Sequence, residues 1–440
     1  MRVQSLFRVV LVLALAVSLS AVLRSVAAQE DGFVPLFNGR KLDGLVNVNC
    51  APETWTVRDE MIICSGIPTG VLRTVKQYQN YVLELEWKHL KERGNAGLFL
   101  HSDAITAPGQ PFTRSIEVQI MDGNHGDVFA IHGATSTPIT PHPRGAMRAL
   151  PTAQRAKPAG EWNHYRVESR DGIITLAVNG EVVTQAFHAN PRKGYICLES
   201  EGSEIYFRNI RIKELPGGPV PPESVANVDE GFRSLYNGLD FRGWKQVPGN
   251  EGHWKAEDWK LTYDGMSEAE GDDRNLWTEE EFGNFILIVD WRQPREPQSE
   301  QTPVILPDGS EAVGPDGQPL RATVMDAGDS GIYLRGSSKS QLNIWNWPVG
   351  SGEIWGYRTD QSMPAEVRAS AVPIQKADNP PGRWNRFEVR VEGEVVSVDL
   401  NGKPVIRQAR LPGMPPSGPI GLQHHGDPIE FTNIYVKELP

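Results

Sequence analysis

Cysteine is scarce in this chain, with three in 440 residues. Three thiols are too few for a disulfide scaffold, and their spacing does not resemble that of a zinc site. Cys50 and Cys64 could pair in an oxidising compartment, whereas Cys197 lies in the apolar stretch YICL and suits a core position. The sequence also lacks a cysteine nucleophile with a partner and a G-x-S-x-G motif, which excludes the best-known nucleophile arrangements.

An excess of basic residues is also missing. The chain has 44 Lys and Arg residues against 55 Asp and Glu residues, and its formal net charge is −11. Because nucleic acids and anionic lipid surfaces attract positive charge, this balance argues against both as partners.

A long apolar run occurs only at the N-terminus. The run VVLVLALAVSLSAVL follows two arginines and is too short and wrongly flanked for a membrane span. Val26 and Ala28 are the small residues that signal peptidase requires before Gln29. We therefore expect residues 1–28 to be a signal peptide, the mature protein to be secreted or periplasmic, and no membrane insertion after cleavage.

The rest of the chain repeats itself. Six segments recur in the same order and at similar spacing, as in GFVPLFNGRKLDGL and GFRSLYNGLDFRGW, NYVLELEWK and NFILIVDWR, GNAGLFLHS and GDSGIYLRG, GEWNHYRVES and GRWNRFEVRV, ITLAVNGEVV and VSVDLNGKPV, and SEIYFRNIRIKELP and DPIEFTNIYVKELP. Such a series indicates a duplicated domain. The Pro/Gly-rich stretch between the copies predicts a first domain at 29–215, a linker at 216–228 and a second domain at 229–440.

Helical periodicity is absent outside the leader. Segments such as YVLELEW and VSVDL alternate apolar and polar residues, and the following NGE and NGK are typical hairpin turns. The pattern predicts an all-β protein of two tandem concanavalin A-like jelly-roll sandwiches. An insertion in the second copy, PREPQSEQTPVILPDGSEAVGPDGQPL, is expected to be a solvated loop or a flap over the site.

The repeated segments carry a specific resemblance. GNAGLFLHS, IEVQIMD, AGEWNHYRV and YICLESEG in the first copy, and GDSGIYLRG, PPGRWNRFEVR and GLQHHGDPIEFTNIYVKEL in the second, resemble the 3-keto-disaccharide hydrolase domain family. The family is also called 3-keto-α-glucoside 1,2-lyase/3-keto-2-hydroxy-glucal hydratase. The resemblance covers both copies and implies the jelly-roll fold, a carbohydrate ligand and cleavage of glycosides oxidised at C3.

The implied reaction sets requirements for the site. A 3-keto group acidifies the hydrogen on C2, so a base can form an enolate, β-elimination can expel the glycosidic oxygen at C1, and water can then add back. The site needs a base, an acid and a group that stabilises the enolate. A divalent cation is one candidate for the last role, although the sequence identifies no ligand set and no cofactor.

Strand parity selects candidate groove residues in the first copy. If Leu98, Val118 and Leu198 face the core, alternate residues face the other side of the sheet. They are Phe99, His101, Glu117, Gln119, Glu199 and Glu201. Glu117 is the candidate base. Asp122, His125 and His132 lie in a following stretch that could reach over the groove rim, where His132 is a further candidate catalytic residue and Asp122 and His125 are candidate substrate-binding residues.

The same rule gives a chemically different groove in the second copy. Its residues are Tyr333, Arg335, Gln341, Asn343, Trp345, Gln423 and His425, with His424 as a neighbour. Glu117 corresponds to Gln341, which cannot abstract a proton, so His425 is the candidate catalytic residue there.

Three interpretations remain open at this stage. The carboxylates favour the first copy as the catalytic one, and the amide and aromatic groove of the second copy equally suits a lectin-like protein that binds carbohydrate without catalysis. The third functional class is a structural adhesion module of an envelope, since polar alternation by itself is what any sheet with one solvated face shows. The sequence does not set the oligomeric state.

Overall fold

The computed structural model describes residues 32–143, 145 and 147–440. The predicted signal peptide, residues 1–28, lies outside the described residues. Within the described part, no helix has both the length and the apolar composition needed to cross a membrane.

Antiparallel strands are the main regular element of the described chain. The strands of the first half are β1 (Val34–Pro35), β2 (Leu45–Asn47), β3 (Trp55–Arg58), β4 (Met61–Cys64), β5 (Gly70–Thr74), β6 (Tyr81–His89), β7 (Asn95–Ser102), β8 (Ser115–Met121), β9 (Val128–Ile131), β10 (Thr135–Pro138), β11 (Arg148–Ala149), β12 (Asn163–Arg170), β13 (Ile173–Val178), β14 (Glu181–Asn190), β15 (Tyr195–Ser200) and β16 (Ile205–Glu214).

The second half contains further strands and two short helices. Its elements are β17 (Arg233–Ser234), β18 (Trp254–Glu257), β19 (Lys260–Tyr263), β20 (Leu276–Phe282), β21 (Phe285–Arg292), β22 (Gln298–Pro303), β23 (Arg321–Asp326), β24 (Ser330–Leu334), β25 (Ser337–Ile344), α1 (Trp355–Thr359), α2 (Ala365–Ser370), β26 (Asn385–Glu392), β27 (Val395–Leu400), β28 (Lys403–Arg410), β29 (Gly418–Leu422) and β30 (Ile429–Glu438). Short 3₁₀ helices span Pro52–Thr54, Pro222–Ser224 and Gly271–Arg274.

The first half folds as two sheets around one core. A nine-stranded sheet has the order β10-β14-β13-β12-β6-β16-β4-β3, with β1 also on β16, and a seven-stranded sheet has the order β11-β9-β8-β7-β15-β5-β2. Apolar residues that alternate along the strands, such as Leu83 and Leu85 in β6 and Leu98 in β7, pack between the sheets.

The second half has the same two-layer plan. An eight-stranded sheet has the order β18-β19-β30-β21-β26-β27-β28, with β17 on β30, and a four-stranded sheet has the order β20-β29-β24-β25. The predicted insertion forms the hairpin β22–β23. These paired sheets confirm the predicted all-β fold of jelly-roll sandwiches.

The three thiols remain separate. Cys50, Cys64 and Cys197 are all free and buried, so the pairing of Cys50 with Cys64 that the sequence left open is not formed. Burial raises the pKa of the Cys64 thiol to about 11 and that of Cys197 to about 12, so neither is a reactive thiolate.

The two sandwiches are in contact. The segment 103–113, between β7 and β8, packs on the eight-stranded sheet of the second domain: Thr106 Oγ1 lies 2.9 Å from the Tyr435 hydroxyl, and the Gly109 N–H donates to Asp290 at 2.7 Å. Asn433 Nδ2 donates to the carbonyl oxygen of Ala107 at 3.1 Å. This segment therefore fixes one domain against the other.

Candidate functional site

Two carboxyl groups of the first domain, those of Glu117 and Glu199, lie over the glycine at position 97. Strand parity is obeyed on β7 and β8, where Glu117 pairs with Phe99 and Gln119 with Gly97. A Cβ placed on Gly97 would lie 2.5 Å from Glu199 Oε2 and 3.1 Å from Glu117 Oε1, so a larger residue here would displace these carboxyl groups. The predicted set of Glu117, Gln119 and Glu199 is thus brought together on one face.

That face is closed, contrary to the expectation of an open groove. Phe99 is fully buried in a cluster with Val71 and Cys197 of its own sheet and Ile288 and Tyr435 of the second domain. Phe112 of segment 103–113 packs edge-to-face on Phe99, with ring centroids 5.5 Å apart. The second domain and this segment therefore occupy the space over Phe99, where a sugar was expected.

Burial changes the charge state of the first-domain carboxyl groups. Glu117 is 6% exposed and Glu199 1% exposed. Burial, followed by repulsion from Glu201, raises the pKa of Glu117 to about 8, and burial and the Glu117 charge raise the pKa of Glu199 as well. Glu201 accepts a hydrogen bond from Asn95.

Among the residues that the structure describes, no group of three or more His, Cys, Asp or Glu side chains is arranged to hold a metal ion.

His101 does not face the groove as predicted. Its backbone has a positive φ of 53°, which breaks the strand alternation and turns the side chain inward. Its Nδ1 lies 2.9 Å from the Pro191 carbonyl oxygen, its Nε2 lies 3.0 Å from Ser169 Oγ, and its ring packs edge-to-face on Tyr81 of the opposite sheet. His101 is therefore a core residue between the two sheets.

Arg335, at the matching place in the second domain, departs from the prediction in the same way. Its φ is 52°, and its buried guanidinium donates to the carbonyl oxygens of Gly283 at 2.8 Å and of Gly393 at 2.7 Å. Because these bonds point away from the groove, Arg335 ties loops together and does not bind a ligand there.

Asp122 and His125 also hydrogen-bond to the backbone of a loop. Asp122 accepts backbone N–H bonds from Arg93 and Ala159, and His125 Nε2 accepts one from Ala156 at 2.9 Å. Burial lowers the pKa of His125, which suits a neutral imidazole acting as an acceptor. The expectation that these residues reach over the groove is wrong, since they anchor the segment 154–159.

His132 lies apart from the first-domain carboxyl groups. With Arg114, Ile288 and Arg386 it lines a cavity of about 440 Å³ between the two domains, and its ring lies 6.3 Å from that of Phe112. Burial lowers the pKa of His132. The structure therefore does not place His132 where it could assist Glu117.

The four-stranded sheet of the second domain carries an open cavity of about 680 Å³, within the range of roughly 300–1,000 Å³ that holds small ligands. Most of the residues predicted for this groove line it, namely Tyr333, Gln341, Asn343, Trp345, Gln423 and His425. Residues that strand parity did not select also line it, among them Asp329, Lys339, Trp347, Trp355 and Asp360.

Amide side chains form the floor of this cavity. Gln341 Nε2 donates to Asn343 Oδ1 at 2.6 Å and to Gln423 Oε1 at 2.7 Å. The Tyr333 ring stacks on Trp277, with centroids 5.3 Å apart. The network fixes the amides and leaves the floor rich in neutral hydrogen-bonding groups.

A carboxylate and an imidazole stand together at one end of the cavity. His425 Nδ1 lies 3.9 Å from Asp329 Oδ2. Burial raises the pKa of Asp329 to about 6, and the nearby His425 partly offsets the rise. In the first copy the matching positions hold Asn95 and Glu201, and there Asn95 donates a hydrogen bond to Glu201.

Two residues predicted for this groove, His424 and Trp345, are less accessible to a ligand than the others. His424 bonds through Nδ1 to the Tyr263 hydroxyl, and its backbone N–H donates to Asn275 at 2.8 Å, so it does not line the cavity. Trp345 is 2% exposed and lies beneath Trp347, with ring centroids 3.9 Å apart. Trp347 presents the more exposed indole.

Some residues that line the cavity were not predicted from the sequence. They differ in whether strand alternation could have identified them. Asp329 has the strand parity of Gly331 and Tyr333 and lies one residue before β24, so extending the alternation by one step selects it. Lys339 on β25 has the strand parity of Gln341, and so does Trp347, which follows the end of that strand. Trp355 belongs to α1, for which the alternation gives no signal.

The family model described as a 3-keto-alpha-glucoside-1,2-lyase-like domain matches residues 32–213 and 231–437. The chain belongs to this family. A 3-keto-disaccharide hydrolase of Bacteroides thetaiotaomicron is 24% identical over 234 residues, covering 42% of this chain and 79% of the relative.

This chain is also similar to solved structures of other proteins. They include a carbohydrate binding module from Bacillus subtilis, with 12% identity and a TM-score of 0.30 over 39% of this chain and 96% of the module. A β-glucanase of Bacillus licheniformis has 14% identity and a TM-score of 0.29 over 42% of this chain and 97% of the enzyme.

Proposed function

We propose that this protein cleaves 3-keto-glycosides in the cavity of its second domain. The family and the relative named 3-keto-disaccharide hydrolase support a glycoside-cleaving enzyme. The observation that carries the proposal is the pair Asp329 and His425 at an open cavity with an amide floor and aromatic walls.

The reaction begins with removal of the C2 proton, which the neighbouring 3-keto group acidifies. The electron pair of the C2–H bond moves toward the carbonyl and forms an enolate. The enolate then expels the glycosidic oxygen from C1, and that oxygen takes up a proton. Water finally adds its oxygen to C1 and a proton to C2, so the net reaction is hydrolysis.

Asp329 is the base in this scheme. A pKa of about 6 leaves it ionised at neutral pH yet more basic than an ordinary carboxylate, which suits proton abstraction. His425, beside it and exposed, donates a proton to the leaving oxygen. Tyr333 and Gln423 line the cavity, and in this scheme the Tyr333 hydroxyl and the Gln423 amide donate hydrogen bonds to the enolate oxygen.

The first domain has a structural role in this proposal. Its Glu117 and Glu199 are buried, on the same face on which Phe99 packs against Phe112 and the second domain, so this face is less accessible to a sugar than the open cavity. The sequence favoured the first copy as the catalytic one, whereas this proposal assigns catalysis to the second. In this proposal the second domain has the open cavity, and the matching face of the first domain contacts the second domain.

The test is turnover of 3-keto-trehalose by the full mature chain, with EDTA or with added Mg²⁺ and Ca²⁺. We expect Asp329→Asn and His425→Ala to lower kcat/KM by roughly 100-fold or more, the usual range for a general acid or base. His188→Ala, an exposed histidine of the first domain, is the matched control and keeps full activity. Glu117→Gln distinguishes the copies, and loss of turnover there would return catalysis to the first domain.

The pH dependence gives a second check on Asp329. Because the base must be ionised and its pKa is about 6, kcat/KM should rise as the pH increases through about 6. A profile without a rise in this region contradicts the assignment. Wild-type protein that binds 3-keto-trehalose and never turns it over would instead establish the alternative, a carbohydrate-binding protein without catalysis.

We propose in addition that the protein acts outside the cytoplasm, on the strength of the leader at 1–28. Cell fractionation and N-terminal sequencing of the mature chain test this. A chain recovered from the cytoplasm with residue 1 intact overturns it.

A further inference from the structure

The cavity of the second domain has two ends with different chemistry. Asp329 immediately precedes β24, whereas Lys339 lies beyond the position where Tyr333 of β24 pairs with Gln341 of β25. At a rise of roughly 3.3 Å per residue, the two ends lie about 15–20 Å apart along the strands. A groove of this length has room for more than one sugar ring.

The end away from Asp329 carries an exposed indole. Trp355 is 46% exposed and is the first residue of α1, where it lines the cavity together with Lys339, Thr359 and Asp360. A large aromatic face left open within a cavity is typical of a ligand-contact surface. The backbone of Lys339 lies directly against Gly356, which brings α1 close to β25.

The wall that carries Trp355 is held by buried groups. Arg358 of α1 forms a buried ion pair with Glu353, and Arg358 Nη1 also donates to the carbonyl oxygen of Gly309 in the hairpin insertion. The first domain has strands β9–β11 at the corresponding point of the chain, between β8 and β12. The second domain therefore differs from the first in having a fixed, helix-borne wall at this end.

Polar groups flank the indole. Lys339 Nζ donates to Asp360 Oδ2 at 2.6 Å, and both side chains line the cavity. A pyranose has an apolar C–H face and a rim of hydroxyl groups, so it can stack on an indole while its hydroxyls bond to a carboxylate and an ammonium group. A purely apolar leaving group would leave this ion pair without new hydrogen-bond partners.

We propose that Trp355, Lys339 and Asp360 form a leaving-group subsite that takes an unmodified pyranose. The inference rests on the proposed function, which places the oxidised ring beside Asp329 and His425. The leaving sugar then extends along the strands toward α1. Trp355 is a specificity-determining residue, because it contacts the part of the substrate that is released.

The test compares two substrates of different leaving group, 3-keto-trehalose and methyl 3-keto-α-glucoside. Trp355→Ala should lower kcat/KM for 3-keto-trehalose roughly tenfold, as expected for one lost stacking contact, and change that for the methyl glycoside less than about twofold. Trp162→Ala, a partly exposed tryptophan of the first domain, is the control and changes neither. Equal losses on both substrates, or no loss on either, overturn the subsite.

A binding measurement separates this inference from the proposed function. D-glucose, the leaving sugar of 3-keto-trehalose, is titrated into wild type and Trp355→Ala and followed by saturation-transfer NMR. Weaker glucose binding by the variant supports the subsite even if no 3-keto-glycoside is turned over, in which case the proposed function alone fails. Unchanged glucose binding overturns the subsite whatever the turnover.

Discussion

At the scale of single residues, the two domains place different groups at matching positions. Glu117, Glu199 and Glu201 of the first domain stand where the second has Gln341, Gln423 and His425. Carboxyl groups cannot all be ionised in a buried site, whereas amides need no charge and bond to one another. The residue differences therefore fit a closed face in the first domain and an open one in the second.

Replacement of Glu117 by Gln should raise stability only at higher pH. The pKa of Glu117 is raised from 4.5 to about 8, chiefly by burial, so the folded chain keeps a proton that the unfolded chain releases. The stability contributed by this proton is complete below about pH 4.5 and is lost as the pH rises through about 8. We expect Glu117→Gln to match wild type at pH 4.5 and to melt about 2–4 °C higher at pH 8.

Calorimetric melting at both pH values measures this difference. Glu92→Gln, at an exposed position of the same domain, serves as the control and should leave Tm unchanged at both. An equal change in Tm for Glu117→Gln at pH 4.5 and pH 8 would show that packing, and not ionisation, decides the effect.

At the scale of strands, alternation predicts side-chain direction only while the backbone stays extended. Glu117 and Gln119 on β8, and Gln341 and Asn343 on β25, lie where parity places them because these stretches are regular. His101, at the end of β7, and Arg335, just after β24, have positive φ values and turn away. Histidine and arginine carry no glycine-like signal for that conformation, so the sequence could not reveal it.

The fold was more predictable than the site for a physical reason. Apolar alternation and NG turns recur along both halves and determine which faces pack, so the paired sheets follow from the sequence. Domain contact depends on segment 103–113 meeting a distant sheet, and the exposed Trp355 depends on a five-residue helix. Neither feature has a periodic pattern of its own.

Arg335→Ala should destabilise the second domain without a direct effect on sugar contacts. The change leaves the carbonyl oxygens of Gly283, Gly393 and Pro415 without their charged donor. Hydrogen bonds to charged groups contribute about 1.5–3 kcal/mol each in measured cases, so we expect a loss of several °C in Tm. KM measured below the lowered Tm should stay within about twofold of wild type.

Thermal unfolding and Michaelis kinetics together check this expectation. Arg407→Ala removes an exposed arginine of the same domain and should leave Tm unchanged. A large rise in KM at full stability would place Arg335 in the binding surface, as the strand alternation originally suggested.

At the scale of the molecule, the closed face of the first domain is part of a domain interface. Ile288 and Tyr435 of the second domain pack with Phe99, and Asp258 of the second domain accepts hydrogen bonds from both the N–H and the hydroxyl of Thr69, each at 2.6 Å. Apolar contact and paired polar groups at one interface favour domains that unfold together.

Loosening this interface should separate the unfolding of the two domains. Asp258→Ala removes both bonds to Thr69, and Thr106→Ala removes the bond to Tyr435, at about 0.5–1.5 kcal/mol for each hydrogen bond. Because none of these bonds lies within a sandwich core, each domain should stay folded. Scanning calorimetry should then resolve two transitions in the double variant where wild type shows one, while Glu257→Ala, at a neighbouring exposed position, leaves the single transition intact. A single unshifted transition in the double variant would mean that the remaining contacts, the apolar cluster around Phe99 and the bonds of Gly109 and Ala107 to the second domain, are enough to couple the domains.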